Sequence, residues 1–318
     1  MNGSGIGRRV RGIRATASVA ALTAAAAFAG VGLVAPSPAW ADEVRSDAPA
    51  PSVRPDFRWR LDGPILGAGA ALLAVGHSMN ATRRLVPPEG LDRGDVHWSF
   101  DRSVIGETDT HAGNESDYFR DAVLAYPVVV SFVSQSPGTR FSGTLRRSVP
   151  YAEAMLLAEG ISLVLKNSAD RPRPFTYVPV DRRPTGPAYD VTQSEAFRSM
   201  PSGHATSSFC AAAFAMTDHL LSRPEAGWLE RAAVPFVGGA LAGMTASLRV
   251  EAGQHFPSDV IVGGLIGASS GVAVPLLHRY VSADGRHAPR PSGRAWRQAV
   301  ASLLAGVGAG VLLSESLH

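Results

Sequence analysis

The chain has 318 residues, 45% hydrophobic and 18% charged, enough for one large domain or two small ones of an apolar, helix-rich kind. A net charge of +3 with no dense basic stripe gives no sign of a nucleic-acid partner. The single cysteine, Cys210, excludes an internal disulfide and cysteine-based zinc motifs, and its apolar surroundings mark it as a small core residue.

The N-terminus has the layout of an export signal. "MNGSGIGRRVRGIR" is a basic n-region and "ATASVAALTAAAAFAGVGLVA" an apolar h-region, and Ala39-x-Ala41 offers a cleavage site before Asp42. Residues 1–41 are therefore expected to be a signal peptide, with an uncleaved anchor as the alternative. The Arg8-Arg9 pair hints at twin-arginine export, but its neighbours fit that signal poorly. Residues 42–60 are polar and proline-rich and read as a linker. Residues 61–318 are expected to form one helical domain.

Seven apolar segments follow, near 63–79, 117–134, 151–166, 203–221, 232–248, 259–279 and 295–314. They suit helices, are too long for typical strands, and show no sustained strand alternation. The expected fold is an all-α bundle of about six or seven core helices. A spanning helix needs about 20 apolar residues, whereas 151–166 is short and holds Glu153 and Glu159, and 203–221 ends near Asp218 and His219. On that count buried helices of a soluble or peripheral protein are favoured, with membrane association left open.

The polar residues cluster where these segments end. Lys166, the only lysine in the chain, closes the 151–166 segment, and Arg171 and Arg173 follow, each before a proline. "MPSGHATSS" opens the next, with Ser202, Gly203 and His204 at its start. "SLRVEAGQHFPSD" joins the following two, with Arg249 ending one and His255 and Asp259 beginning the other. If consecutive helices are antiparallel, all three clusters fall at one end of the bundle, which is where an active site is expected.

Taken singly, each piece has a plain structural reading. A lysine at a helix end offsets the dipole, Arg-Pro-Arg-Pro is a loop, and His-x-x-x-Asp is a surface pair. Together they describe a phosphoryl site. Three fixed cations suit charge spread over three oxygens, and a helix start at Ser202 and Gly203 offers N–H groups to the same anion. Two histidines can divide nucleophile and acid, and Asp259 follows His255 closely enough to bond its ring and set the tautomer. No carboxylate cluster joins these segments, so no metal is expected.

These residues resemble the type-2 phosphatidic acid phosphatase superfamily, which includes lipid phosphate phosphatases, class A acid phosphatases and vanadium haloperoxidases. Its first motif is Lys166, six residues, then Arg173-Pro174; its second is Pro201 to His204. Its third is Arg249, five residues, His255, three residues, Asp259. Leu248 stands where the family usually has serine, with Ser247 one place earlier, which puts a minor contact in doubt. The resemblance covers about 151–279 and does not reach 42–150.

The resemblance implies that His255 attacks phosphorus, with Asp259 orienting it, while His204 protonates the leaving alcohol. Lys166, Arg173, Arg249, Ser202 and Gly203 would hold the phosphate, and Arg171 falls off the motif as a loop or rim charge. The expected activity is metal-independent hydrolysis of phosphate esters, lipid or small-molecule, through a phosphohistidine. A phosphotransferase, a vanadium-dependent haloperoxidase (the one case calling for a cofactor, vanadate) and a non-enzymatic binder of anionic headgroups are the alternatives.

The aromatics of the 175–200 loop are expected to anchor that loop rather than admit an acyl chain. An export signal followed by six spans conflicts in parity with an outward-facing site. That conflict again favours an exported, soluble or peripheral protein. His77, His97, His111, His219, His278, His287 and His318 belong to no motif.

Overall fold

The computed structural model describes residues 53–82, 90–282 and 284–317. The expected signal peptide and the first part of the expected linker, up to residue 52, lie outside the described residues. Among the described residues seven long helices carry the fold: α1 (Trp59–Thr82), α2 (Thr110–Val133), α3 (Arg140–Ala169), α4 (Gly203–Ser222), α5 (Trp228–Glu251), α6 (Pro257–Leu277) and α7 (Gly293–Leu317). The all-α bundle expected from the sequence is the architecture found. Among the described residues the strand content is one short antiparallel ribbon, β1 (Arg54–Pro55) on β2 (Tyr280–Val281), with Arg54 opposite Val281.

Local chemistry sets the helix ends. Asp109 accepts from the amides of His111 (2.8 Å) and Ala112 (3.2 Å) to start α2, and Ser202 caps α4. Pro257 occupies the first turn of α6, where its missing N–H costs nothing. α3 stops at Asp170, which takes the left-handed conformation at φ 44°, and Pro172 and Pro174 prevent the helix from resuming.

α4 is the central helix, with every residue from Ala205 to Leu220 buried. Gly263, Gly267 and Gly271 line the face of α6 that lies on it, and a Cβ at any of them would run into the α4 backbone at Ser202, Thr206 or Cys210. Small residues at this spacing let two helices approach backbone to backbone. Gly239 and Gly243 of α5 do the same against Leu303 and Val307 of α7. α1 runs parallel to α3, with Gly69 against Leu156 and Gly76 against Leu163.

The soluble or peripheral localisation expected from the sequence is overturned. Four helical segments, Arg140–Tyr177, Trp228–Glu251, Pro257–Leu277 and Gly293–Leu317, are long and apolar enough to cross a membrane. The expectation failed because an apolar run is shorter than the helix containing it. The 151–166 run sits in a 30-residue helix, about 45 Å long, against a hydrocarbon core of about 30 Å. Leu145, Leu165, Phe236, Val237, Leu265, Leu276, Leu312 and Leu313 also stand exposed on these helices. Such a surface is unusual in water and ordinary against lipid, and it points to an integral membrane protein.

Candidate active site

The odd-numbered helices α3 and α5 end, and the even-numbered α2, α4 and α6 begin, at the same end of the bundle. Cross-links between them prove the meeting. His204 Nε2 of α4 lies 2.6 Å from Asp117 Oδ1 of α2. Arg249 of α5 donates to Ser116 Oγ of α2 at 3.2 Å. His255, between α5 and α6, reaches the Ser199 carbonyl ahead of α4 at 2.7 Å.

The His255 ring has a defined tautomer. A carbonyl only accepts, so the 2.7 Å contact with Ser199 O places the hydrogen on Nδ1 and the lone pair on Nε2. Burial, followed by the charges of Arg173, Arg249 and Lys166, holds the imidazole well below its ordinary pKa. The ring is therefore neutral and available as a nucleophile at neutral pH.

Asp259 does not touch that ring as expected. Its Oδ2 is 3.8 Å from His255 Nδ1 and instead accepts from Ser199 Oγ (2.5 Å) and the Phe256 amide (2.8 Å). The reason is the position of the helix start. α6 begins at Pro257, so His255 lies before the helix and the i,i+4 relation does not apply to it. Ser199 lies between the two, offering its hydroxyl to the carboxylate and its carbonyl to the ring.

Arg171 is no rim charge. It forks between Asp259 Oδ1 (2.5 Å) and Asp101 Oδ2 (2.7 Å), both fully buried, and its guanidinium stacks on Phe256 at 4.3 Å. It ties the 99–102 turn to the start of α6 and so sets the segment that carries His255.

The three expected phosphate-binding cations converge. Glu195 Oε2 lies 3.5 Å from Lys166 Nζ and 3.2 Å from an Arg173 nitrogen. Arg173 is further fixed by the Glu195 carbonyl at 2.7 Å and by the Gln254 side chain. Arg249 is buried and its Nε has no hydrogen-bond partner among the described residues. At Gly203 no atom lies within 4 Å of where a Cβ would sit, so the first turn of α4 faces open space. Ser202 is fully buried, and its side chain is occupied as the helix cap.

His204 is set by residues the sequence gave no reason to select. Asp117 Oδ1 and Arg120 both reach its Nε2, at 2.6 and 3.0 Å. Burial and the charge of Arg249 depress its pKa to about 3, against the opposing pull of the Asp117 hydrogen bond. Burial also acts against ionising Asp117, yet the His204 bond and the charges of Arg120 and Arg249 keep it below the usual carboxylate value. Burial likewise opposes ionisation of Glu195, and the charges of Lys166, Arg173 and Arg198 outweigh it.

The loop 170–200 closes one side of the site. Phe175, Tyr189 and Phe197 are buried together, with Phe175 and Tyr189 packed edge to face at 5.3 Å. They anchor the loop. Asp117, Arg120, Ser116, Ser199, Gln254 and Glu195 are the site residues that sequence reasoning did not select. The only signal was the i,i+3 pair Asp117 and Arg120 in the first turns of α2, and such pairs are common on solvated helices.

The family model described as the PAP2 superfamily matches residues 147–283, a span containing Lys166, Arg173, His204, Arg249, His255 and Asp259. Asp101, Ser116, Asp117 and Arg120 lie outside it. No curated protein and no solved structure gives a significant match.

Proposed function

From a chain whose residues 147–283 match the PAP2 superfamily, we propose a phosphatase that transfers the phosphoryl group of a membrane-borne phosphate ester to His255 and then to water, without a metal in the phosphate site. The observation that carries this reading is a neutral His255 with its lone pair on Nε2, facing a site whose charge is supplied by Lys166, Arg173 and Arg249.

In the first half-reaction Nε2 of His255 forms the N–P bond as the ester P–O bond breaks. Lys166, Arg173, Arg249 and the α4 amides at Gly203 hold the three non-bridging oxygens. The leaving alkoxide takes a proton from His204. Burial is the largest cause of the low His204 pKa; a bound phosphate dianion offsets the part that Arg249 and Arg120 contribute and so raises the pKa towards that of a useful acid. In the second half His204 accepts a proton from water, the water oxygen attacks phosphorus, the N–P bond breaks and inorganic phosphate leaves. Four helices long and apolar enough to cross a membrane support a lipid ester as the substrate.

The test is phosphate release by the purified chain in detergent with EDTA present. Substrates would run from p-nitrophenyl phosphate to phosphatidic acid and an isoprenyl pyrophosphate, with His255→Ala and His204→Ala alongside. Release that His255→Ala abolishes, together with an acid-labile, base-stable phosphoenzyme that accumulates in His204→Ala, is expected. Release that survives His255→Ala removes the nucleophile. Glycerol competing with water for the phosphoryl group would move the assignment to a phosphotransferase.

A further inference from the structure

At the end of the bundle opposite the phosphate site, three buried ionisable side chains from three helical elements converge. They are Asp62 of α1, Glu153 of α3 and His278 at the C-terminal cap of α6, and a ligand-type atom from each lies within 4.8 Å of the others. His278 Nε2 is 2.9 Å from Asp62 Oδ1 and 3.1 Å from Glu153 Oε2. Glu153 is 13 residues, about 20 Å of helix, from Lys166, so the cluster takes no part in phosphoryl transfer.

Two features are not explained by protein contacts. Glu153 is fully buried, yet neither of its oxygens has a hydrogen-bond partner among the described residues. Its Oε2 is ion-paired with His278 Nε2 at 3.1 Å, but that nitrogen carries a single hydrogen and Asp62 Oδ1 lies nearer to it at 2.9 Å. A buried carboxylate left without hydrogen bonds is strongly disfavoured. The second feature is charge. His278 Nδ1 donates to the Val274 carbonyl at 2.9 Å, so Nε2 must face two carboxylates with its remaining valence. With an imidazolium the cluster carries a net −1. Among the described residues no guanidinium pairs with either carboxylate; Arg58 donates its side chain to the Leu277 carbonyl at 2.8 Å and only its backbone amide to Asp62.

A divalent cation removes both difficulties. Two carboxylates, a neutral imidazole and a dication sum to zero, and Glu153 gains a partner. Six-coordinate bonds of about 2.1 Å at right angles put adjacent ligand atoms about 3.0 Å apart, and tetrahedral ones about 3.4 Å; the 2.9 and 3.1 Å found at Nε2 match the six-coordinate spacing, the one Mn²⁺ prefers. The outer contacts also suit a ligand set: the ring's other N–H is held by a backbone carbonyl, and Asp62 Oδ2 accepts from the Arg58 amide at 2.5 Å. A cavity of about 320 Å³ bordered by Phe57, Asp62, Arg146, Pro150 and His278 gives a path in and room for water.

We propose that Asp62, Glu153 and His278 bind one divalent transition-metal ion, Zn²⁺ or Mn²⁺, that clasps α1, α3 and the end of α6 together. Mixed oxygen and imidazole donors favour these ions over Ca²⁺ or Mg²⁺. The ion is structural, and the phosphate site works without it.

The full chain, purified in detergent and stripped with chelator, would be equilibrated with ZnCl₂ or MnCl₂, desalted and assayed for metal content and thermal unfolding. About one equivalent retained, with a raised unfolding temperature, is expected, and Glu153→Gln should lose both. A wild-type chain that unfolds cooperatively and retains no ion overturns the proposal, as does full stoichiometry in Glu153→Gln. If that variant does not fold, Co²⁺ decides. His278→Cys should add a sulfur-to-cobalt charge-transfer band if residue 278 is a ligand, and its absence from a cobalt-loaded chain refutes the site. Chelation should lower the unfolding temperature while leaving turnover in the cold intact. Turnover lost on chelation from a still-folded chain would instead strike at the metal-free phosphatase reading.

Discussion

In the proposed phosphatase, Glu195 competes with the substrate phosphate for Lys166 and Arg173. Its carboxylate lies 3.2 Å from Arg173 and 3.5 Å from Lys166, and its other oxygen is 3.5 Å from Arg198. An incoming phosphate must displace it or sit beside a like charge. Glu195→Gln keeps the shape and removes the charge, so it should tighten anion binding. The size follows from the two pairs involved. The cationic side chains are only 15% and 9% exposed, but that of Glu195 is 54% exposed, so each pair is discounted to about 0.5–1 kcal/mol. Losing both from the empty state favours the phosphate-bound state by about 1–2 kcal/mol, a 5- to 30-fold fall in the inhibition constant for inorganic phosphate. The assay is phosphate inhibition of p-nitrophenyl phosphate hydrolysis at low ionic strength. The gain should shrink as salt is added. An unchanged or weakened inhibition constant would refute the competition argument and make Glu195 a group that positions Arg173.

Asp117→Asn removes the bond that supports protonated His204, so the pKa of His204 falls further and less of the acid form is present at any pH above it. Turnover of alkyl phosphates should drop by about 10²-fold or more, while p-nitrophenyl phosphate, whose leaving group needs little protonation, loses far less; equal losses on both esters would remove the acid role. Arg171→Met leaves Asp101 and Asp259 buried without their shared cation and should cost about 3–5 kcal/mol of stability in detergent unfolding, with Arg171→Lys between it and wild type. A Cβ at Gly267 meets α4 backbone at Thr206 and Cys210, which cannot yield, whereas one at Gly264 meets the Phe209 ring at an ordinary 3.4 Å. Gly267→Ala should therefore destabilise by about 1–3 kcal/mol and Gly264→Ala by much less; similar unfolding temperatures for the two would contradict the helix packing described.

The contrast between His255 and its neighbours explains what could be read in advance. His204, His255, Arg173 and Arg249 were legible because the chemistry fixes their type and the helix ends fix their spacing. Asp117 was not, because it lies 87 positions from His204 and only the fold brings them together. The spacing of Asp259 predicts a bond to the His255 ring, whereas the carboxylate bonds Ser199 and the Phe256 amide, since spacing alone does not say that the helix starts after His255. Arg171 falls between motif positions, so the sequence reads it as a loop or rim charge; the buried acids it joins, Asp101 and Asp259, lie 70 and 88 positions away.

The membrane question turns on the same distinction between a residue's type and its partner. Glu153 and Asp218, each within an apolar segment, counted in the sequence against spanning helices. In the fold both point inward. Asp218 accepts from Tyr280 at 2.8 Å and lies 3.5 Å from Arg147, while Glu153 faces Asp62 and His278. An ionisable residue argues against a spanning helix only when it must face lipid. Those that face the bundle are the ones a membrane protein retains, and they mark where it has something to hold. The outward faces carry the decisive information, and Leu145, Phe236, Leu265 and Leu312 could be recognised as outward only once α4 was known to lie at the centre.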